Sequence, residues 1–216
     1  TNTAGACRAP LLDETVRGMV LFARELDLGT GIVAQAAACI LRPDGRTVIG
    51  FMEVNSRFVQ TLTDEQLTDT MIHEMAHALG FGSSWWRSDG FTRFVDAAST
   101  PVRWTGPVAT ANFGLLRNTA AYTGRLVPIM PDRGHWDGAV FRGETMEPFL
   151  RPQNRLSAIT VGAMADMGYG VNERSWERYA LPGIAATPSI APLPLGDDVL
   201  PPYGVVAPDG TVRRLP

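Results

Sequence analysis

Apolar positions from residue 67 to residue 79 recur every four residues, which is the spacing of one face of a helix. The residues that form this stripe are Leu67, Met71, Met75 and Leu79. Thr63 and Gln66 stand just ahead of it with the spacing of a capping box, in which Thr63 is the N-cap. Gly80 follows the stripe and suits the end of a helix. The pattern predicts a helix over residues 64–79.

Two further patterns of helical spacing flank this segment. Residues 13–28 have apolar residues on one side and are followed by Gly29, which predicts a first helix. Ser157 is a good N-cap, and the segment to Met167 predicts another helix. Residues 109–122 are expected to include a short helix.

Two apolar runs rich in β-branched residues, 32–41 and 47–54, predict strands. The segment between them contains Pro-Asp-Gly, a strong turn signal, so the two runs are expected to form a hairpin. The pattern leaves two places open for strand 47–54. It lies either along a cleft, where it could pair with an extended substrate, or inside the sheet.

The chain has 216 residues, of which 45% are hydrophobic, enough for one domain with a sizeable core. The net charge of −3 gives no reason to expect nucleic acid as a partner, and no apolar run approaches the length of a membrane span. Residues 81–134 are rich in glycine and proline, as functional loops and cleft walls often are. Half of the 16 prolines lie in residues 182–216, which predicts an extended arm lying on the domain. The oligomeric state is left open.

Cys7 and Cys39 are the only cysteines. A single pair in a chain otherwise free of cysteine favours one disulfide in a secreted or otherwise extracytoplasmic protein. The alternative is a free thiol near a zinc site that blocks an enzyme until it is moved, because a thiolate is a strong zinc ligand.

The most specific chemistry lies inside the predicted helix, in His73-Glu74-Met75-Ala76-His77. His73 and His77 are about one helical turn apart and share a face, where two imidazoles can hold one Zn²⁺ ion. Glu74 can serve as general base towards a water molecule. A catalytic zinc takes three protein ligands and keeps one position open. His135 is the remaining histidine of the three in the chain, so the residues predict one catalytic zinc ion.

The sequence beyond His77 resembles the metzincin zinc-protease signature H-E-x-x-H-x-x-G-x-x-H. Gly80 matches the glycine, where the chain must turn sharply, but Ser83 stands in place of the third histidine. Leishmanolysin-like proteases depart from the signature in this way, with a long insertion before a later histidine. Here Met146 follows His135 by 11 residues, in a Glu-Thr-Met-Glu-Pro segment that resembles the Met-turn of that family.

The similarity covers roughly residues 30–175 and implies an α+β fold of the metzincin type. We expect a small twisted, mostly parallel sheet, an active-site helix and a mostly irregular C-terminal subdomain. The catalytic domain is expected over residues 1–181, with subdomains of about 1–82 and 83–181, followed by the Pro-rich arm at 182–216. The implied activity is that of a zinc metalloendopeptidase acting on proteins or peptides.

The resemblance also implies a role for each site residue. A metal-bound water would attack the peptide bond, and Glu74 would take its proton and pass it to the leaving amine. Met146 would lie beneath the metal as a hydrophobic floor. The segment Pro148, Phe149 and Leu150 would wall the pocket beyond the cut bond. Apart from the resemblance, Asp137 could orient a ligand histidine, although an Asp in such a position more often caps a turn.

Three alternatives remain open from the sequence. The third ligand could be a carboxylate, for which the candidates are Asp89, Asp96, Asp132 and Glu144. The chain could be an interaction module that keeps zinc but has lost catalysis. It could also be a latent enzyme held off by its own Pro-rich tail.

Overall fold

The computed structural model describes residues 7, 15–82, 94–96, 98–117, 126–182, 192–196 and 198–215. The helices in these ranges are α1 Ser56–Val59, α2 Asp64–Ala78, α3 Pro107–Arg117 and α4 Ala158–Asp166. The longer strands are β1 Val20–Leu26, β2 Ala34–Leu41 and β3 Thr47–Asn55. The shorter ones are β4 Val95–Asp96, β5 Arg103–Trp104, β6 Val127–Pro128, β7 Phe149–Leu150, β8 Leu193–Pro194, β9 Gly204–Val206 and β10 Val212–Arg214.

Within the described ranges the main sheet has five strands in the order β1-β3-β2-β9-β10. The pairs β1–β3 and β2–β9 are parallel, whereas β2–β3 and β9–β10 are antiparallel. The α+β class is therefore confirmed, but the sheet is mixed and the prediction of a mostly parallel sheet is wrong, because β2–β3 and β9–β10 pair as antiparallel neighbours. Because β3 lies between β1 and β2, the strand predicted at 47–54 is an interior strand. The predicted hairpin is confirmed, since β2 and β3 are joined by a turn in which Gly45 N donates to Arg42 O.

The helix predicted over residues 13–28 is wrong, because Val20–Leu26 forms strand β1. This strand pairs in parallel with β3, from Val20 opposite Ile49 to Leu26 opposite Asn55. Its short run of apolar residues is compatible with either a strand or a helix, and pairing with the backbone of β3 decides between them. Residues 13 and 14 lie outside the described residues.

The helix predicted over residues 64–79 is confirmed as α2, and its capping box is formed. Thr63 Oγ1 accepts from Gln66 N at 3.2 Å, and Gln66 Oε1 accepts from Thr63 N at 3.1 Å. The helix ends where Gly80 takes a φ of 112°, in the left-handed region. Its C-terminal turn packs on β2 and β3 through Ala78, Ala36 and Met52.

The two remaining helix predictions, in residues 109–122 and from Ser157 to Met167, are confirmed where the structure describes them. Helix α4 begins after Ser157, whose side chain accepts from Ile159 N, as an N-cap does. Helix α3 covers Pro107–Arg117, and the remainder of the predicted segment 109–122 lies outside the described residues. Of the helices in the described ranges, none is long and apolar enough to cross a membrane.

The larger core cluster lies between the end of α2, α3 and α4, and it contains Phe81, Trp104, Phe113, Trp136, Phe141, Met146 and Ile159. Trp136 is fixed inside it by a hydrogen bond from its indole Nε1 to Thr160 Oγ1 at 2.8 Å. Because Trp136 directly follows His135, this core sets where that histidine lies.

A disulfide joins Cys7 to Cys39 of strand β2. The alternative of a free thiol near the metal site is therefore excluded for both cysteines. The pairing ties a residue near the start of the chain to the middle of the main sheet.

The described part of the Pro-rich arm packs against the rest of the protein. It supplies β8, which pairs with β7, and β9 and β10, which extend the main sheet beyond β2. Leu195, Val205 and Leu215 of the arm are buried.

Candidate metal centre

His73 and His77 lie on one face of the last two turns of α2, and both are fully buried. Each imidazole is held through Nδ1 by a backbone carbonyl: His73 by Thr145 O at 2.6 Å and His77 by Phe81 O at 2.7 Å. Since Nδ1 carries the donated proton, each Nε2 presents a lone pair. The two Nε2 atoms face each other at 2.8 Å.

His135 reaches the same point from a loop between β6 and β7. Backbone hydrogen bonds from Met130 N to His135 O and from Trp136 N to Met146 O shape this loop. The His135 ring centroid lies 5.3 Å from that of His73 and 5.1 Å from that of His77. Asp132 Oδ2 lies 3.1 Å from His135 Nδ1 and orients the ring.

Asp198 completes the cluster, and the sequence analysis did not find it. Its Oδ2 lies 3.3 Å from His73 Nε2 and 3.3 Å from His135 Nε2, and its side chain is 1% exposed. The candidate ligand atoms of the three histidines and Asp198 all lie within 4.8 Å of one another. No local motif marks Asp198, because it stands in a Pro-rich segment 63 residues beyond His135.

Burial and neighbouring charges shift the pKa values of the cluster in different directions. Burial by itself lowers the pKa of His135, but the carboxylates of Asp198 and Asp132 outweigh it and raise that pKa to about 9. Burial and the neighbouring His73 hold the pKa of His77 well below its usual value. Burial by itself raises the pKa of Asp198. The charge of His135 and the hydrogen bonds of Asp198 with His135 and His73 outweigh burial and hold that pKa well below the ordinary range.

Glu74 is fully buried beside His73. Neither of its carboxylate oxygens has a hydrogen-bond partner among the described residues. Burial, with a contribution from the charge of Asp198, raises the pKa of Glu74 well above its usual value. A buried carboxyl group without a partner is costly, so it calls for a ligand or a function.

Met146 is buried in the larger core cluster, and the turn that carries it is held by Glu144. Glu144 Oε1 accepts from Ser157 Oγ at 2.6 Å and from Thr160 Oγ1 at 2.5 Å, and its Oε2 accepts from Met146 N at 2.6 Å. The neighbouring residue of the turn, Thr145, supplies the carbonyl that orients His73. The predicted Met-turn segment is thus in contact with the histidine cluster.

The carboxylates weighed as a third ligand have other partners. Glu144 serves the turn just described, and Asp132 supports His135. Asp96 accepts hydrogen bonds from Ala98 N and Ser99 N. Asp89 lies outside the described residues.

The segment predicted to wall the substrate pocket adjoins the arm. Pro148 and Phe149 are half-buried, whereas Leu150 is buried against Val33 and Leu195. Asp137 caps a turn, because its Oδ1 accepts from Ala139 N at 2.9 Å.

The residues present fit a divalent metal ion. Two Nε2 lone pairs facing each other at 2.8 Å repel unless a proton or a cation lies between them, and a third imidazole and a carboxylate oxygen point to the same place. Zinc is bound by donor sets of this kind, made of imidazole nitrogens and a carboxylate oxygen.

This buried cluster at the end of a helix, beside a mixed sheet, is consistent with a metzincin-type protease. Residues 14–98 match the family model of leishmanolysin. This part of the chain is similar to that family. The matched range includes His73, Glu74 and His77, and His135 and Asp198 lie beyond it.

Two curated relatives are distant homologues, and both are ciliated left-right organizer metallopeptidases. The protein from Xenopus laevis is 26% identical over 163 residues, which are 65% of this chain and 23% of that protein. The protein from Danio rerio is 27% identical over 168 residues, which are 66% of this chain and 26% of that protein. The chain thus spans about a quarter of the length of these relatives.

Proposed function

We propose that this protein is a zinc-dependent endopeptidase that hydrolyses peptide bonds in protein or peptide substrates. The observation that carries the proposal is the convergence of His73, His77 and His135, with the unpartnered carboxylate of Glu74 beside them. The disulfide and the family suggest that it works outside the cytoplasm, as a secreted protein.

A zinc ion held by His73, His77 and His135 would supply Lewis acidity, which would polarise the scissile carbonyl and make a water molecule more acidic. Glu74 takes the proton of the attacking water and delivers it to the leaving nitrogen. This role suits Glu74, because no hydrogen bond from a described residue fixes its carboxylate. The carbonyls of Thr145 and Phe81 keep both helix imidazoles in the tautomer that binds a metal through Nε2.

Met146 gives the centre a rigid apolar floor in this proposal, because its side chain is packed in the core. Pro148, Phe149 and Leu150 wall the pocket for the residue after the cut bond, which favours hydrophobic side chains there. The pocket becomes available to a substrate only if the arm, which pairs with this segment, moves aside.

The experiment that tests the proposal compares Glu74→Gln with Glu65→Gln. Glu65 lies on the same helix but is exposed, so it is the matched control. Glu74→Gln is expected to keep its zinc. Its rate of casein cleavage should fall by roughly a hundredfold or more, which is the usual contribution of a general base to the rate. Glu65→Gln should retain both. Equal cleavage by Glu74→Gln and the parent protein would remove Glu74 from the mechanism.

One observation favours a second function. With Asp198, the cluster has four protein donors, and structural zinc sites are closed in this way. The second candidate is therefore a non-catalytic zinc-binding module. The two functions differ in how they account for Glu74. A purely structural site gives no reason to bury a carboxyl group that lacks a hydrogen-bond partner.

A further inference from the structure

We propose that Asp198 is a fourth protein ligand of the metal, delivered by the C-terminal arm, and that the arm thereby holds the enzyme in a closed, latent form. The segment that does this, residues 192–196 and 198–206, is called the closing segment below. The inference rests on the proposed function in one respect only, that the open form of the site is catalytic.

The position of the carboxylate is the first support. Asp198 Oδ2 lies at equal distances of 3.3 Å from the metal-facing nitrogens of His73 and His135. It approaches from a different chain segment than any of the three imidazoles. A catalytic zinc keeps its fourth position for water or substrate, so a carboxylate there excludes both.

Backbone pairing with β2 is the second support. Ala36 N donates to Asp198 O at 2.9 Å, and Leu200 N donates to Ala36 O at 3.0 Å. Upstream, Val33 N donates to Leu195 O at 3.1 Å. Asp198 is therefore held on both sides by hydrogen bonds to β2 and to the residue just before it.

Further along, the closing segment becomes part of the sheet. Tyr203 N donates to Cys39 O at 2.7 Å, and β9 pairs in parallel with Ile40 and Leu41 of β2. An extended peptide binds a sheet by adding to the edge of a strand. On the side of β2 away from β3, the closing segment uses the backbone groups that such a substrate would need.

The segment predicted to wall the substrate pocket, residues 148–150, also contacts the closing segment. Leu195 N donates to Pro148 O at 3.2 Å, and Pro194 and Leu193 pair with Phe149 and Leu150. The closing segment thus spans from β2 to the segment predicted to wall the substrate pocket. It occupies the route of an extended substrate across the metal centre.

Intramolecular delivery makes this closure effective. The carboxylate is part of the same chain, so its local concentration at the metal is high, and a substrate must compete with it. Only the fraction of molecules in which Asp198 has left the site can bind a substrate or an inhibitor, and the apparent affinity falls by that fraction.

The test uses the full chain with Co²⁺ in place of zinc, because the visible spectrum of Co²⁺ reports its ligands without any activity. The variants are Asp198→Ala, Asp198→Asn, which keeps the side-chain shape, and Asp209→Ala. Asp209 is the control, since it lies in an exposed turn of the same arm and accepts from Thr211 N. Urea unfolding of each variant is measured without metal, and a cooperative transition establishes that the variant is folded.

We expect both Asp198 variants to change the Co²⁺ spectrum and Asp209→Ala to match the parent. Acetohydroxamate, a small metal-chelating probe, should bind the Asp198→Ala derivative roughly tenfold more tightly or better, because the fourth position is vacated. Peptide hydrolysis by the zinc form of Asp198→Ala should rise by roughly the same factor for the same reason. The gain should disappear when Glu74→Gln is added.

Each other result has a definite meaning. An unchanged spectrum in both folded Asp198 variants overturns the proposal. A changed spectrum with hydroxamate binding and hydrolysis equal to those of the parent shows a ligand that does not close the site, which overturns latency. A changed spectrum with tighter hydroxamate binding but no hydrolysis in any variant supports ligation and closure, and it counts against the proposed peptidase function.

Discussion

Replacing Gly82 by alanine should separate the third histidine from the other two. Gly82 has a φ of 74°, and a Cβ built on it would lie 2.6 Å from Gly134 O and 2.8 Å from Gly134 Cα. These are backbone atoms, so the chain itself must shift. Gly134 directly precedes His135, and the shift is therefore expected to reach the metal centre.

The cost has two parts. Forcing a residue with a Cβ into the left-handed region costs about 1–2 kcal/mol. Relieving the contact with Gly134 adds about 1–3 kcal/mol, the usual range for overpacking a well-packed site. We expect Gly82→Ala to lower the free energy of unfolding by about 2–5 kcal/mol and to weaken zinc binding by roughly tenfold or more, as loss of support for a ligand does.

Gly29→Ala is the matched control. Gly29 has a φ of 81°, but a Cβ there would meet no atom within 4 Å. Gly29→Ala should carry the backbone strain of about 1–2 kcal/mol and leave zinc affinity unchanged. Urea unfolding of the metal-free proteins and competition with a chromogenic chelator measure both quantities. If the two variants lose equal stability and bind zinc equally well, the close contact of Gly82 with Gly134 does not position His135.

Three further predictions concern single side chains. Asp132→Ala should weaken zinc binding by roughly ten- to a hundredfold, because His135 loses the carboxylate that orients it; chelator competition measures this. Glu144→Gln should lower the free energy of urea unfolding by about 2–4 kcal/mol, because an amide cannot accept all the hydrogen bonds that Glu144 receives in the buried turn. Thr63→Ala should cost about 1 kcal/mol in the same assay through loss of the N-cap of α2.

Controls for these predictions come from neighbouring residues of the same type. Asp137→Ala removes a turn cap without touching His135 and should leave zinc affinity unchanged. Thr68→Ala lies on the exposed part of α2 and should change stability by less than about 0.5 kcal/mol. Equal zinc affinity for Asp132→Ala and Asp137→Ala, or an unfolding curve of Glu144→Gln that overlies that of the parent, would contradict the corresponding argument.

The elements that the sequence predicted correctly carry their signals locally. Helix α2 has its capping box, its apolar stripe and its terminal glycine within 18 residues, so no distant contact was needed to predict it. The β2–β3 hairpin was predicted from a turn motif between two apolar runs. Residues 20–26 were wrongly predicted to be helical, because their few apolar residues suit a helix as well as a strand. Pairing with the backbone of β3 makes them strand β1.

The sequence by itself determined which histidines meet at the centre: two histidines one helical turn apart, with a glutamate between them, and a third histidine placed by resemblance to a known turn. Tertiary structure alone decided that Asp198 joins them. A helix brings residues four apart onto one face by its own geometry, so the sequence reveals such a pair. Asp198 reaches the site only because its segment pairs with β2, and backbone hydrogen bonds between distant segments leave no pattern in the side chains.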